Sequence, residues 1–188
     1  PACDDALLPE RSLLGTEQEA WVAANIRGVD KVWNVLANQT VMTDIRLGAA
    51  VLNFDQWDGY APGRDRVLTD ITEQGVENLI VLTGDIHLSG IGQLTTTANP
   101  TTAVGIEFVT TSISSGGNVP PETQGLLKAL SNIIDAEASH RGYTLHTITP
   151  ETWTAQYRIV DDARVENSGV SDWKTFTVTA GTAAVAEI

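Results

Sequence analysis

The chain has 188 residues, 42% hydrophobic and 19% charged, which suits one globular domain and excludes a disordered tract. Its 24 acidic and 11 basic residues give a formal charge of −13 with no Lys/Arg cluster, which argues against nonspecific binding to nucleic acid or to an anionic membrane surface. Such a surface repels an anionic substrate unless something local reverses the field, and bound di- or trivalent cations do that most strongly.

The chain opens Pro1-Ala2-Cys3-Asp4-Asp5, with neither an initiator Met nor a basic-then-apolar leader, and reads as cut from something longer. Cys3 is the only cysteine, so an internal disulfide and a cysteine-rich zinc site are excluded, and a spare thiol is its simplest role. No apolar run approaches the roughly 20 residues that span a bilayer, so no transmembrane segment is expected. No repeat of fixed period and no linker divides the chain.

Thr16-Glu17-Gln18-Glu19 has the form of a capping box, and Trp21, Val22 and Ile26 follow at near-helical spacing, predicting a helix over 16 to 27. Residues 32 to 42 are apolar and β-branched, predicting a buried strand; residues 48 to 63 read as loop. Pro62 is placed to open a second helix, with Val67, Leu68 and Ile71 inward and Gly75 as the stop. Residues 78 to 83 then read as a central strand, because Leu79-Ile80-Val81-Leu82 lacks alternation and suits a sheet covered on both faces. Further on come a strand over 104 to 111, a helix over 122 to 138, a hairpin of 143 to 148 with 153 to 160 around Thr149-Pro150, and a closing strand over 174 to 179. Strand, helix, strand in that order predicts an α/β fold, a sheet layered with helices.

Leu82-Thr83-Gly84-Asp85-Ile86-His87 carries the most chemistry. The carboxyl ends of strands are where α/β folds place their sites. On an extended segment Asp85 and His87 leave the same face about 6 to 7 Å apart, which suits ligands to two metal ions roughly 3.5 to 4 Å apart. The structural alternative is that Asp85 caps a turn and His87 makes an ordinary hydrogen bond. Two ligands do not complete a catalytic centre, and the rest of the chain offers few more.

His140 and His146 read as surface or loop histidines, since on one strand they would stand roughly 20 Å apart. Arg141 between them is a candidate phosphate clamp, or a structural ion pair. The loop Asp55-Gln56-Trp57-Asp58-Gly59-Tyr60 places two aromatics and two carboxylates around a glycine, and Trp57 and Asp58 are candidates for a substrate-pocket wall, or for a structural anchor. Ser112-Ile113-Ser114-Ser115-Gly116-Gly117 lacks the Gly-Lys-Ser/Thr ending of a nucleotide loop and reads as a flexible turn. No Gly-x-Ser-x-Gly elbow is present, and Asn38-Gln39-Thr40 lies inside a predicted buried strand, where glycosylation is not expected.

Taken together, six segments resemble, in order, the C-terminal half of the PhoD-like phosphatases. They are Arg11 to Gly15 with Glu17-Gln18 and Trp21; Trp33 to Gln39; Trp57-Asp58-Gly59-Tyr60 with Arg64; Leu82 to His87; Glu107-Phe108-Val109 with Ser112 to Ser115; and Arg141-Gly142-Tyr143.

The resemblance implies part of a calcineurin-like metallophosphoesterase β-sandwich flanked by helices, with residues 1 to 188 as the C-terminal portion of one catalytic domain. It implies hydrolysis of phosphoesters by a metal-activated water, of the alkaline phosphatase or phosphodiesterase type, in an exported, secreted or periplasmic parent. Asp85 and His87 match the family's last metal-binding motif, and two or more ions, iron with calcium or other divalent ions, are implied. The family's earlier ligand motifs lie in an N-terminal half that this sequence lacks, so the N-terminal fragment of the same parent is the implied partner. The competing readings are a phospholipase D on the same scaffold and a noncatalytic β-rich domain.

Overall fold

Leu79, Ile80 and Val81 are almost wholly inaccessible because their strand has a neighbour on each edge and a packed layer on each face. A computed structural model describes residues 4–27, 31–48, 50–116 and 120–188; Cys3 and Gly117 lie outside that set. Strands β1 (Asn34–Ala37), β2 (Leu79–Thr83), β3 (Ser89–Leu94), β4 (Gly105–Val109) and β5 (Ile133–Glu137) form a mixed sheet in the order β1-β2-β4-β3-β5. The first three in that order run parallel, and β3 is antiparallel to both neighbours. The second sheet is an antiparallel meander of β6 (Arg141–Ile148), β7 (Thr152–Val160), β8 (Val170–Thr179) and β9 (Val185–Glu187).

The strand period of two divides the apolar residues between two cores. Leu79 and Val81 point to one face, where they meet Val22 of helix α1 (Thr16–Asn25) and Val67, Leu68 and Ile71 of helix α2 (Ala61–Glu73). Ile80, Ile106 and Phe108 point to the other, against Trp153, Ala155, Tyr157 and Phe176 of the second sheet. Helices, sheet and sheet thus stack as three layers. The Tyr157 hydroxyl donates to the Gly90 carbonyl at 2.8 Å and the Trp33 indole to the Thr149 carbonyl at 2.6 Å, tying the two sheets together.

Helix α2 forms as its sequence predicts. Pro62 sits in the first turn, where no intrahelical N–H is needed. At the far end Gly75 adopts φ +69, its N–H donates to the Thr72 carbonyl, and the Val76 N–H donates to the Ile71 carbonyl, a Schellman closure. Helix α1 also forms, but the expected capping box does not. Gly15 is the N-cap, Thr16 is already helical, and the Glu19 carboxylate turns instead to the Arg66 guanidinium and the Ser12 hydroxyl. Of the residues at helical spacing, Val22 is buried and Trp21 is 62% exposed.

Four further expectations are corrected. The strand expected over 32 to 42 is only Asn34–Ala37, at the sheet edge; Val41 and Met42 are buried, but their N–H groups are taken by the side chains of Gln56 and Glu107 instead of a strand partner. The helix expected over 122 to 138 is α3 (Pro121–Lys128), and Ile133–Glu137 is strand, because β3 offers it an antiparallel partner. That strand, Ser89–Leu94, escapes a sequence reading because Gly90 and Gly92 dilute its β-propensity. The stretch read as loop contains a 3-10 turn at Trp57–Tyr60 that leads directly into α2. In the sheet β2 is an interior strand, and the middle place belongs to β4.

Candidate functional site

Strand β2 ends at Thr83, and the chain then turns sharply. Asp85 has φ +72 and His87 φ +57, both left-handed. The extended geometry expected of this segment is therefore not formed. Left-handed backbone is uncommon outside glycine, Asp and His tolerate it better than most, and it persists only where surrounding contacts hold it. Asp85 lies exposed at the rim and His87 is half-buried, and both line a cavity of about 470 Å³ whose apolar wall includes Val41, Ile45, Leu88 and Leu127.

Each of the two side chains is braced from behind. Asp85 Oδ2 accepts a hydrogen bond from Gln56 Nε2 at 2.6 Å, and Oε1 of the same amide accepts the Val41 N–H. His87 Nδ1 is 2.9 Å from the Gly116 carbonyl oxygen. A carbonyl only accepts, so Nδ1 carries the hydrogen, and in the neutral ring Nε2 keeps its lone pair. This is the arrangement found where a histidine ligates a metal and its other nitrogen is held by a carbonyl. A carboxylate and an imidazole nitrogen form a donor set for first-row transition metals, and the carboxylate also suits calcium. Among the described residues no third His, Cys, Asp or Glu joins them.

The floor beneath the turn is polar and buried. Glu107 on β4 is inaccessible; its carboxylate accepts the N–H groups of Met42 and Thr43 at 2.8 and 2.7 Å and the Thr83 hydroxyl at 2.9 Å. Burial pushes this carboxyl up, against the lowering effect of those hydrogen bonds. Beside it Arg64 donates to the Met42 carbonyl and pairs with Asp58 at 2.5 Å and Asp44 at 3.1 Å. Burial alone would raise Asp44, but its hydrogen bond from Arg46 and the Arg64 charge outweigh that and hold it at about 2. Asp58 is raised by burial, against the charge of Arg64.

Trp57 and Asp58 are therefore not a pocket wall. Each is 1% exposed; Trp57 packs in the helix-side core, and Asp58 accepts the Ile45 N–H while pairing with Arg64. Gln56, in the same loop, is the residue that reaches the site. The loop was legible as unusual from its composition, but only packing shows which of its side chains turns inward.

Arg141 is buried, with its Nε and Nη1 N–H groups on neutral acceptors, among them the carbonyls of His87 and Ser115. No carboxylate of the described residues pairs with it, so a structural ion pair does not describe it. The serine-rich stretch before Gly117 is more than a flexible turn, since its carbonyls hold Arg141 and His87.

His140 contacts Glu137 at 3.0 Å away from the 470 Å³ cavity. His146 is a packed residue, not a loop histidine. It sits between Phe108 and Trp153, its Nδ1 accepts the Trp153 indole N–H at 2.9 Å, and burial lowers its pKa.

A helix-backed two-sheet sandwich with an Asp/His pair on the turn after an interior parallel strand is an α/β domain with its candidate site at the strand ends. The chain belongs to the PhoD-like phosphatase family, whose model matches residues 1–157. It is 35% identical over 184 residues to alkaline phosphatase D of Bacillus subtilis (strain 168), a match that takes in 94% of this chain and 31% of the relative. A solved structure of PhoD superposes with a TM-score of 0.88 at 32% identity, covering 100% of this chain and 37% of that one. The chain thus spans about a third of the curated relative and of the solved structure it matches.

Proposed function

We propose that this chain is the C-terminal portion of one metallophosphoesterase catalytic domain, and that Asp85 and His87 contribute two ligands to a centre of two or more ions, iron with calcium by family likeness or other divalent ions in their place. The observation that carries this reading is the bond from His87 Nδ1–H to the Gly116 carbonyl, which leaves Nε2 as a donor at the cavity wall. Bound there, multivalent cations supply neutralisation of phosphoryl charge and activation of water. The chain's own residues orient and shape. Gln56 holds one oxygen of Asp85, Gly116 sets the imidazole, and the aliphatic wall limits water around the scissile ester. The remaining ligands are assigned to the N-terminal part of the same parent, an exported protein by family likeness.

Substitutions in the whole enzyme test this. Asp85→Asn and His87→Ala should each lower metal content and phosphoester hydrolysis by about a hundredfold or more while the fold persists. Full metal content and full turnover in both variants would remove the assignment.

A second reading, phospholipase D chemistry on the same scaffold, draws on the aliphatic side of the cavity, where Ile45, Leu52, Leu88 and Leu127 would suit an ester with an apolar group. Comparing a soluble phosphomonoester, a soluble phosphodiester and phosphatidylcholine in vesicles separates the two.

A further inference from the structure

We propose that Arg141 is a positioning residue for His87, holding both ends of the hydrogen bond that orients the imidazole; this rests on the reading of His87 as a metal ligand. Arg141 is 8% exposed at the start of β6. Its Nη1 donates to the carbonyl of His87 itself at 2.8 Å, and its Nε donates to the Ser115 carbonyl at 2.8 Å. Ser115 directly precedes Gly116, whose carbonyl receives the His87 Nδ1–H. One planar guanidinium therefore fixes the backbone that carries the imidazole and the backbone that carries its hydrogen-bond acceptor. Further contacts from Nη1 to the Thr111 hydroxyl at 3.2 Å and the His140 carbonyl at 3.0 Å anchor the fork to the segment just after β4 and to the residue just before β6.

Two independent features favour positioning over phosphate binding. His87 has a left-handed φ of +57, a conformation that needs outside contacts to persist, and the bond from Arg141 to its carbonyl is such a contact. Arg141 also lines a second cavity of about 450 Å³ and not the one that Asp85 and His87 line. A lysine cannot reproduce the arrangement, because an ammonium is a point donor whereas the guanidinium spans two carbonyls in a fixed plane.

The test uses the whole enzyme carrying Arg141→Lys or Arg141→Met, with His87→Ala in parallel. Iron and calcium content is measured by elemental analysis after dialysis, affinity by titrating the metal-free protein with Zn²⁺, a first-row probe that imidazole binds, and hydrolysis by steady-state kinetics. Positioning predicts Zn²⁺ affinity about tenfold or more weaker in both Arg141 variants, a lower kcat restored by excess metal, and an unchanged KM. A KM and an inhibition constant for inorganic phosphate both raised about tenfold at full metal content would overturn it in favour of a phosphate clamp. Thr111→Val, which removes one anchor of the fork, serves if Arg141→Met does not fold, and should show a smaller loss of the same kind; unchanged affinity there and in Arg141→Lys counts against the proposal. Should His87→Ala keep its metal, the ligand assignment itself fails. If only His87→Ala loses metal, the assignment stands and the role of Arg141 falls.

Discussion

The side-chain amide of Gln56 bridges a ligand candidate and a buried backbone group: Nε2 donates to Asp85 Oδ2 at 2.6 Å and Oε1 accepts the Val41 N–H at 2.5 Å. Both partners are needed in that orientation, since a carboxylate only accepts and a backbone amide only donates. Gln56→Ala should cost about 1 to 3 kcal/mol, because it strands the buried Val41 N–H. It should also slow hydrolysis by the whole enzyme about tenfold or more through a freed Asp85. Urea unfolding and kcat measure the two effects separately, and unchanged turnover would show that Asp85 does not depend on this brace.

Trp57 is a core residue, so Trp57→Ala should destabilise by about 3 to 5 kcal/mol, the usual range for deleting a buried aromatic. Substrate preference should not change in whatever fraction remains folded. A shift in preference with an unchanged melting temperature would put the indole in the pocket after all.

Asp44 and Glu107 predict opposite pH dependences. Asp44 is held at about 2, below its ordinary 3.8, so its pairing with Arg46 and Arg64 stabilises fully above pH 3.8. That contribution, on the order of 2 kcal/mol, is lost as the pH falls through about 2. Glu107 is raised above its ordinary 4.5, so the folded state binds that proton more tightly; its contribution is fully present below pH 4.5 and declines as the pH rises through the raised value. Denaturant unfolding across pH 2 to 8 should lose the acid-side slope in Asp44→Asn. The rising-pH decline should vanish in Glu107→Gln, which is also destabilised because one of the Met42 and Thr43 N–H groups then faces an amide NH₂.

The 188 residues alone should hydrolyse no phosphoester at a measurable rate, and activity should appear only with the N-terminal part of the parent. Two ligand candidates do not make a dinuclear centre, and no third lies with them among the described residues. Ordinary turnover by the isolated chain with a full metal complement would defeat this expectation.

Several elements could be read from the sequence because their causes are local. Pro62 and Gly75 bound helix α2 through backbone rules that hold anywhere, and the unbroken apolar run before Thr83 requires two covered faces. The Asp85 and His87 pair is a candidate for the same reason, as chemistry placed at the end of such a strand. Only the tertiary structure decided the rest. Ile133–Glu137 becomes strand rather than helix through pairing with β3, some forty residues earlier in the chain, and Val41 and Met42 leave the ladder because Gln56 and Glu107 take their N–H groups from 15 and 65 residues away. Which of Gln56, Trp57 and Asp58 reaches the site, and that Arg141 grips backbone carbonyls, depend on side-chain directions set by long-range packing. Neighbouring residues carry no record of those directions, because a hydrogen bond between distant segments is specified only once both are folded against a common core.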